Sequence, residues 1–278
     1  MPELPEAEVA ARQLRARLVG AQVADIRLGR ADIVREGIRS LDWYAGSAVH
    51  TIDRRGKSVV FTFVKHGEPR HLVAELGMTG LLLLPSAQVR FPQHTHAVLS
   101  FTDPSCPPVR YWNPRRFGRL SLLDADGLRR YVDRRFGCEP LAVTKEQFAA
   151  LLRCRRRLKP LLMHQQTIAG IGNIYANEIL FRARLHPNIV ANRLGIGAVS
   201  RLHTVMQSVL REAIDCGGSS VKDYFAPNGS EGSYKDRHLV YGKAGQPCPN
   251  RCGAVIRRLQ SERSSFFCPR CQTRRRQA

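Results

Sequence analysis

The sequence contains no apolar run approaching the roughly 20 residues that a membrane-spanning helix needs. It also lacks the basic-then-apolar leader of an exported protein. The opening MPELPEAEVA carries three glutamates there instead, so the cytoplasm is the expected compartment. Internal repeats and extended low-complexity tracts are absent, which sets aside solenoid and fibrous architectures. Acid is scarce: 23 Asp+Glu stand against 44 Lys+Arg, a net charge of +21. Such a field attracts polyanions, with nucleic acid first, an anionic membrane surface second, and a packing role in a ribosome or chromatin as the bland alternative. What is present suffices for a core, because 278 residues with 43% hydrophobic side chains are enough for one to three domains.

After Pro5, a favoured first-turn residue, Ala11, Leu14 and Leu18 fall at helical spacing and Gly20 supplies a stop. From about Ala21 to Leu123 the pattern changes to short Val-, Leu- and Phe-rich runs: Val23–Leu28, Ser58–Val64, Gly80–Leu84, Ala97–Phe101 and Arg119–Leu123. Turn residues separate these runs, as in a sandwich or barrel. From Asp124 to about Cys216 the texture is helical, with Ala176, Ile179, Leu180 and Ala183 in the i, i+3, i+4, i+7 period. The stretch from Gly217 to Tyr234 is dense in Gly, Ser, Asn and Pro and reads as a mobile loop. A small basic module follows.

Four of the eight cysteines, Cys106, Cys138, Cys154 and Cys216, are scattered and are expected to be free thiols. The other four, Cys248, Cys252, Cys268 and Cys271, form two knuckles about fifteen residues apart, close to the spacing of a four-cysteine zinc site. The first knuckle is C-x3-C where C-x2-C is commoner. A module this small cannot support its own core, so a structural zinc ion is expected to supply much of its folding free energy. Eight arginines surround these ligands, Arg251, Arg257, Arg258, Arg263, Arg270, Arg274, Arg275 and Arg276, as in a phosphate-reading surface.

In TIAGIGNIYANEILF, Gly170 and Gly172 permit a tight turn and Asn173 is a good N-cap. Exposed N–H groups at such a helix start bind phosphate without base preference, although the same turn also serves ordinary packing. Pro2 follows the initiator Met1 and is small enough to permit its removal, which would leave a free secondary amine. An α-amino group has a reference pKa of roughly 7.7–8.0, so part of it is nucleophilic near neutral pH. Attack on a sugar C1′ leads to an iminium whose charge serves as an electron sink for eliminating phosphate at C3′ and C5′. Glu3, next to the amine, has the chemistry of a proton donor and acceptor for these steps. By position alone, Pro2 equally reads as the start of a strand or helix.

Taken in order, MPELPEAE, Lys57 in RRGKSVVF, LGMTG, NPRRFG, KPLL with IAGIGNIYANEILFRARLHP, LREAIDCGGSS, VYGKAGQPC and FFCPRCQ run from Met1 to Gln272. The chain closely resembles the formamidopyrimidine-DNA glycosylases of bacterial base-excision repair, relatives of endonuclease VIII. The resemblance implies an α+β, multidomain fold with an N-terminal antiparallel β-sandwich flanked by helices. A C-terminal α-rich helix–two-turn–helix domain with a zinc-finger β-hairpin follows. The implied domains are 1–136, 137–240 with a lesion-capping loop at 217–234, and 241–278. It also implies a monomer that bends damaged double-stranded DNA, everts an oxidised purine, cuts its glycosidic bond and removes the sugar by β,δ-elimination. Zinc is its one cofactor, and it needs no small-molecule cofactor and no membrane.

Carried over residue by residue, Pro2 is the nucleophile, Glu3 the acid/base, and Lys57 a cation near the phosphate and reacting sugar. Met78, Arg115 and Phe117 fill the gap left by the everted base, which partly restores the lost stacking and pairing. Asn173 and Arg263 contact phosphate, with His94 or His96 adding another contact. Four features depart from the usual pattern: Glu75 in place of His before LGM, Asn113 in place of Asp before PRRFG, His164 in place of Asp, and the widened first knuckle. Glu75 matters most, since a carboxylate beside LGMTG would repel phosphate or alter the lesion accepted. The alternatives are an endonuclease VIII-like preference for oxidised pyrimidines and a non-catalytic reader of damaged DNA on the same scaffold.

Overall fold

The structure is a computed structural model that describes residues 2–89, 91–220, 224–260 and 263–273. Two compact units emerge, Met1–Arg135 with Ile214–Lys235, and Phe136–Ala213 with Asp236–Ala278.

The first unit opens with α1 (Leu4–Leu18), followed by β1 (Val23–Leu28), β2 (Val34–Glu36), β3 (Ala48–Arg55), β4 (Ser58–Lys65) and β5 (Glu68–Glu75). Next come β6 (Leu81–Leu83), β7 (Thr95–Phe101), β8 (Val109–Trp112), β9 (Leu120–Asp124) and α2 (Ala125–Arg135). The strands form a four-stranded sheet, β1-β7-β8-β6, and a five-stranded sheet, β2-β9-β5-β4-β3. The expected antiparallel sandwich is therefore correct with one exception: β2 runs parallel to β9. The exception costs little, because β2 is three residues long and lies at a sheet edge. One face of each sheet is buried against the other around Val23, Ile26, Ile52, Phe61, Phe63, Leu72, Leu99 and Leu122, and Ala7, Ala10, Leu14 and Leu18 of α1 join the same core.

The five expected strands correspond to β1, β4, β6, β7 and β9. Besides the short β2 and β8, the strand pattern overlooked β3, rich in charge at its end, and β5, which carries Pro69 and a glutamate at each end. β3 and β5 are held by an antiparallel ladder with β4, continuous along β5 and bulged once in β3 between Val49 and Thr51, rather than by their own composition.

The segment 214–235 groups with this first unit, not with the helices of 137–240. The reason is its contacts: Tyr224 packs with Leu81, Leu83 and Trp112 on the outer face of the four-stranded sheet, and Leu84 N–H donates to Pro227 O at 2.8 Å.

The second unit contains α3 (Lys145–Leu151), α4 (Leu158–Met163), α5 (Asn173–Arg182), most of α6 (Ile196–Asp215), and the hairpin β10 (Arg257–Leu259) and β11 (Ser265–Phe267). Thr144 caps α3 by accepting the Gln147 N–H at 3.3 Å while Gln147 Oε1 accepts the Thr144 N–H at 3.0 Å. Apart from its ends, α5 is entirely buried. Phe181 at its end joins Val240, Ile256, Cys248 and Cys268 in one apolar cluster, so the hairpin belongs to the helical core instead of standing alone. Among the described residues no helix is long and apolar enough to cross a membrane.

Candidate functional site

At the start of α1, Pro2, Glu3 and Glu6 are all buried. Glu3 is the N-cap residue, and its backbone N–H donates to Glu6 Oε2 at 2.7 Å. The other oxygen of the same carboxylate, Oε1, accepts the backbone N–H of Ser219 at 2.7 Å, and the Tyr224 hydroxyl donates to Glu6 O at 2.9 Å. Burial, and after it the charge of Glu6, pushes the Tyr224 phenol well above its ordinary pKa, so that it remains a donor. Glu6 thus fastens the N-terminus to the Gly–Ser segment from 213 residues away in sequence.

That contact requires glycine: Gly218 has φ +84, and a Cβ there would sit 2.8 Å from Glu6 Oε1. The segment is further cross-tied by Ser233 N–H to Cys216 O at 2.9 Å and by Gly232 N–H to Ser220 Oγ at 2.7 Å. Residues 221–223, part of the expected capping loop at 217–234, lie outside the described residues, as does Met1. Lys57, half-buried, occupies the turn between β3 and β4.

Met78, Arg115 and Phe117 come from two loops that press together. Gly77 at φ +60 leaves no room for a side chain, since a Cβ would lie 2.4 Å from Gly118 N. A Cβ on Gly118 would lie 2.1 Å from Glu75 O. Asn113, fully buried, donates to Tyr111 Oη at 3.1 Å and to Gly118 O at 3.2 Å, and the Tyr111 hydroxyl donates to Glu75 O at 2.6 Å. An aspartate at 113 would offer no donor to Gly118 O, which explains how this chain uses an amide there. Met78 is half-buried, whereas Phe117 is 55% exposed with the Arg115 guanidinium 4.9 Å from its ring centroid. An aromatic that open, stiffened by a cation–π contact, is suited to enter a base stack.

The two histidines separate. His96 is buried, its Nε2–H donates to Asn113 O at 3.0 Å, and burial lowers its pKa, so it supports the loop and offers no cation to DNA. His94 is half-buried, edge-on to Phe91 and Trp112.

In the second unit the helix cap falls one residue earlier than expected: Gly172 is the N-cap and Asn173 the first helical residue. Glycine suffices because the turn is braced from outside, with Gln165 accepting Gly170 N–H at 2.9 Å and donating to Ile171 O at 2.8 Å. Three residues of α4 and α5 that composition alone did not single out tie these helices to the hairpin and to the segment leading into it. Asn177 Oδ1 accepts Phe266 N–H at 2.7 Å. The Glu178 carboxylate accepts the N–H groups of Leu239, Val240 and Tyr241 at 2.8, 3.0 and 2.8 Å. Lys159, buried, donates to Arg263 O, Ser264 O and Ser265 Oγ at 3.2, 2.8 and 2.9 Å, directly beneath the exposed Arg263. Buried charges with complete hydrogen-bond sets are the signal that could have found them.

The ligand atoms of Cys248, Cys252, Cys268 and Cys271 all lie within 4.8 Å of one another, with Sγ separations of 3.7 Å for Cys248–Cys271 and 3.5 Å for Cys252–Cys268. A tetrahedron of thiolates around zinc has edges of about 3.8 Å, so the donor set fits one zinc ion. The extra residue of the first knuckle is absorbed by Arg251, which adopts a left-handed φ of 51° and donates its N–H to Cys248 O at 2.9 Å. Cys106, Cys138, Cys154 and Cys216 are free thiols.

Three family models match successive stretches of the chain: the formamidopyrimidine-DNA glycosylase N-terminal domain over residues 1–120, its H2TH domain over 136–224, and the zinc finger found in FPG and IleRS over 245–274. A formamidopyrimidine-DNA glycosylase of Roseiflexus is 42% identical, the alignment covering 98% of this chain and all of that one. One from Solibacter usitatus is 41% identical over 99% of this chain and all of its own length. Among solved structures, the Lactococcus lactis Fpg bound to abasic-site DNA superposes with a TM-score of 0.86 at 33% identity, covering 98% of this chain and 99% of that one. MutM bound to DNA containing carbocyclic 8-oxo-G gives 0.85 at 32% identity, covering 98% and 100%.

Proposed function

The chain belongs to the formamidopyrimidine-DNA glycosylase family, and from that premise we propose that it excises oxidised purines, 8-oxoguanine and formamidopyrimidines, from duplex DNA and then nicks the strand. The observation that carries this reading is the buried start of α1, where Glu6 ties the Pro2–Glu3 terminus to the Gly–Ser segment expected to cap the lesion.

Once Met1 is removed, the Pro2 amine attacks C1′ of the damaged nucleotide. The glycosidic bond breaks, the base leaves with its electron pair and takes up a proton, and the amine gives up its own. Glu3 protonates the sugar ring oxygen as the ring opens, and the product is an iminium between Pro2 and C1′. Loss of a C2′ proton then expels the 3′ phosphate, and a second elimination expels the 5′ phosphate. Lys57 screens the phosphate beside the reacting sugar. Met78, Arg115 and Phe117 occupy the gap behind the everted base. Asn173, Arg263 and His94 contact phosphates, with Lys159 setting the Arg263 loop from below. Zinc has no chemical step; it folds the hairpin that presents Arg263. The protein works as a cytoplasmic monomer on DNA.

The test is borohydride trapping across duplexes containing 8-oxoguanine, formamidopyrimidine or thymine glycol. A covalent adduct and strand cutting are expected on the two purine lesions, with the Pro2→Gly variant losing the adduct by a factor of about 10³ or more. Preferential cutting of thymine glycol would move the chain to a pyrimidine-directed activity, and tight binding with no adduct would make it a non-catalytic reader.

A further inference from the structure

Glu75 ends β5 at the point where the strand turns into the Met78 loop, paired in register with Ser58, the neighbour of Lys57. By charge alone it should repel DNA. Instead its carboxylate, only 14% exposed, is clamped from two sides. Oε2 meets Arg35 Nη2 of β2 at 3.2 Å, while Oε1 meets Arg135 Nη1 at 3.2 Å and accepts the Tyr131 hydroxyl of α2 at 2.8 Å. The Arg135 guanidinium in turn lies 4.8 Å from the Tyr131 ring centroid. One carboxylate is shared by two guanidiniums, so the cluster is net positive.

The backbone of the same residue is where the two gap-filling loops meet. Its N–H donates to Arg119 O at 2.9 Å, and its carbonyl accepts the Tyr111 hydroxyl at 2.6 Å. That carbonyl also lies against Gly118, where a Cβ would come within 2.1 Å of it. Across the same junction Thr79 Oγ1 accepts the Arg115 N–H at 3.4 Å. Whatever fixes residue 75 therefore fixes Met78 relative to Arg115 and Phe117.

We propose that Glu75 is a positioning residue for lesion eversion: the Arg35–Glu75–Arg135 cluster, with Tyr131, pins the residue at which the Met78 loop and the Arg115–Phe117 loop are joined. The inference rests on the proposed gap-filling role of those three side chains. It differs from electrostatic repulsion in the sign of its consequences. Removing the negative charge should strengthen binding to undamaged DNA, because net charge rises, while loosening the loops and slowing eversion.

The experiment uses the full-length, zinc-loaded protein in excess over a duplex carrying 8-oxoguanine beside a 2-aminopurine reporter. E75Q keeps the volume and the Tyr131 hydrogen bond but gives up both ion pairs. Y111F lies outside the ion cluster and removes the hydroxyl that donates to the Glu75 carbonyl and accepts from the Asn113 amide, both bonds of the same loop junction, so it keeps the test decisive should E75Q fold poorly. Both are expected to slow the reporter rise and base release about tenfold. Nicking of a preformed abasic site should fall less, and E75Q should bind undamaged duplex at least as tightly as wild type. Wild-type reporter kinetics in both variants would overturn the proposal, and so would E75Q accelerating both binding and eversion, the outcome that repulsion predicts. A wild-type chain that releases no base would sink the functional reading and this inference with it, and only that outcome appears in the unmutated protein.

Discussion

The loops carrying Met78, Arg115 and Phe117 and the hairpin carrying Arg263 both hold side chains proposed to enter or touch DNA, yet they are held by opposite means. The loops are joined by backbone pressed on backbone: Gly77 against Gly118, Gly118 against the Glu75 carbonyl, and one amide, Asn113, spanning the junction. The hairpin is held by buried charge and thiolates: Lys159 and Glu178 direct their charged groups at main-chain atoms, and four cysteines converge on a metal site. Close backbone contact tolerates no added atom but costs no desolvation. Buried charge carries a large desolvation cost and is stable only when every polar atom is met. The first device gives precise relative placement of two loops, and the second gives a small module a core it could not otherwise have.

Removing zinc should produce the largest effect and break the comparison on the hairpin side. Structural zinc supplies about 10–16 kcal/mol of apparent binding free energy in small modules. Stripping the metal with a strong chelator is expected to unfold 241–278 and weaken duplex binding at least about 100-fold, read by fluorescence anisotropy with metal content measured in parallel. Retained affinity in a metal-free sample would show that the charge network alone holds the hairpin.

On the loop side, Gly118→Ala places a methyl where 2.1 Å is available and should cost about 1–3 kcal/mol, with base release falling about 100-fold and zinc content unchanged. An unaltered rate would mean the loops are free to separate without consequence. The smallest effect, and the one that sharpens the picture of the hairpin, belongs to Arg251→Gly. Relieving a left-handed φ of 51° while adding chain entropy should leave a net gain of about 0.5 kcal/mol, seen as a slightly higher melting temperature of the zinc-loaded protein. A loss of stability there would mean the arginine side chain matters more than its backbone.

Much of the fold was legible. The spacing of Ala11, Leu14 and Leu18 marks α1, the Val- and Leu-rich runs mark five strands, and the cysteine spacing marks the hairpin. β3 and β5 were not, since their sequences are half polar and become strands through pairing with β4. The expected cap at Asn173 moved to Gly172 because Gln165, outside the helix, does the bracing. His94 and His96 are alike in sequence and two residues apart, but His94 closes the turn at 92–94 whereas His96 lies within β7, where its packing against Asn113 makes it a supporting residue. Glu75 looked like an unfavourable charge because its two arginines lie 40 and 60 residues away.

By itself, the sequence determined the inventory: an imino acid at position 2, four cysteines in two knuckles, a surplus of cations, and glycines at close loop contacts, Gly77, Gly118 and Gly218. These follow from residue chemistry and local spacing, which need no partner. Tertiary structure alone decided what each charge does. Glu6 became a clasp, Glu75 an anchor, and Lys159 and Glu178 bolts, because a buried charge takes its role from whichever main-chain N–H, carbonyl or guanidinium the fold brings within about 3 Å of it.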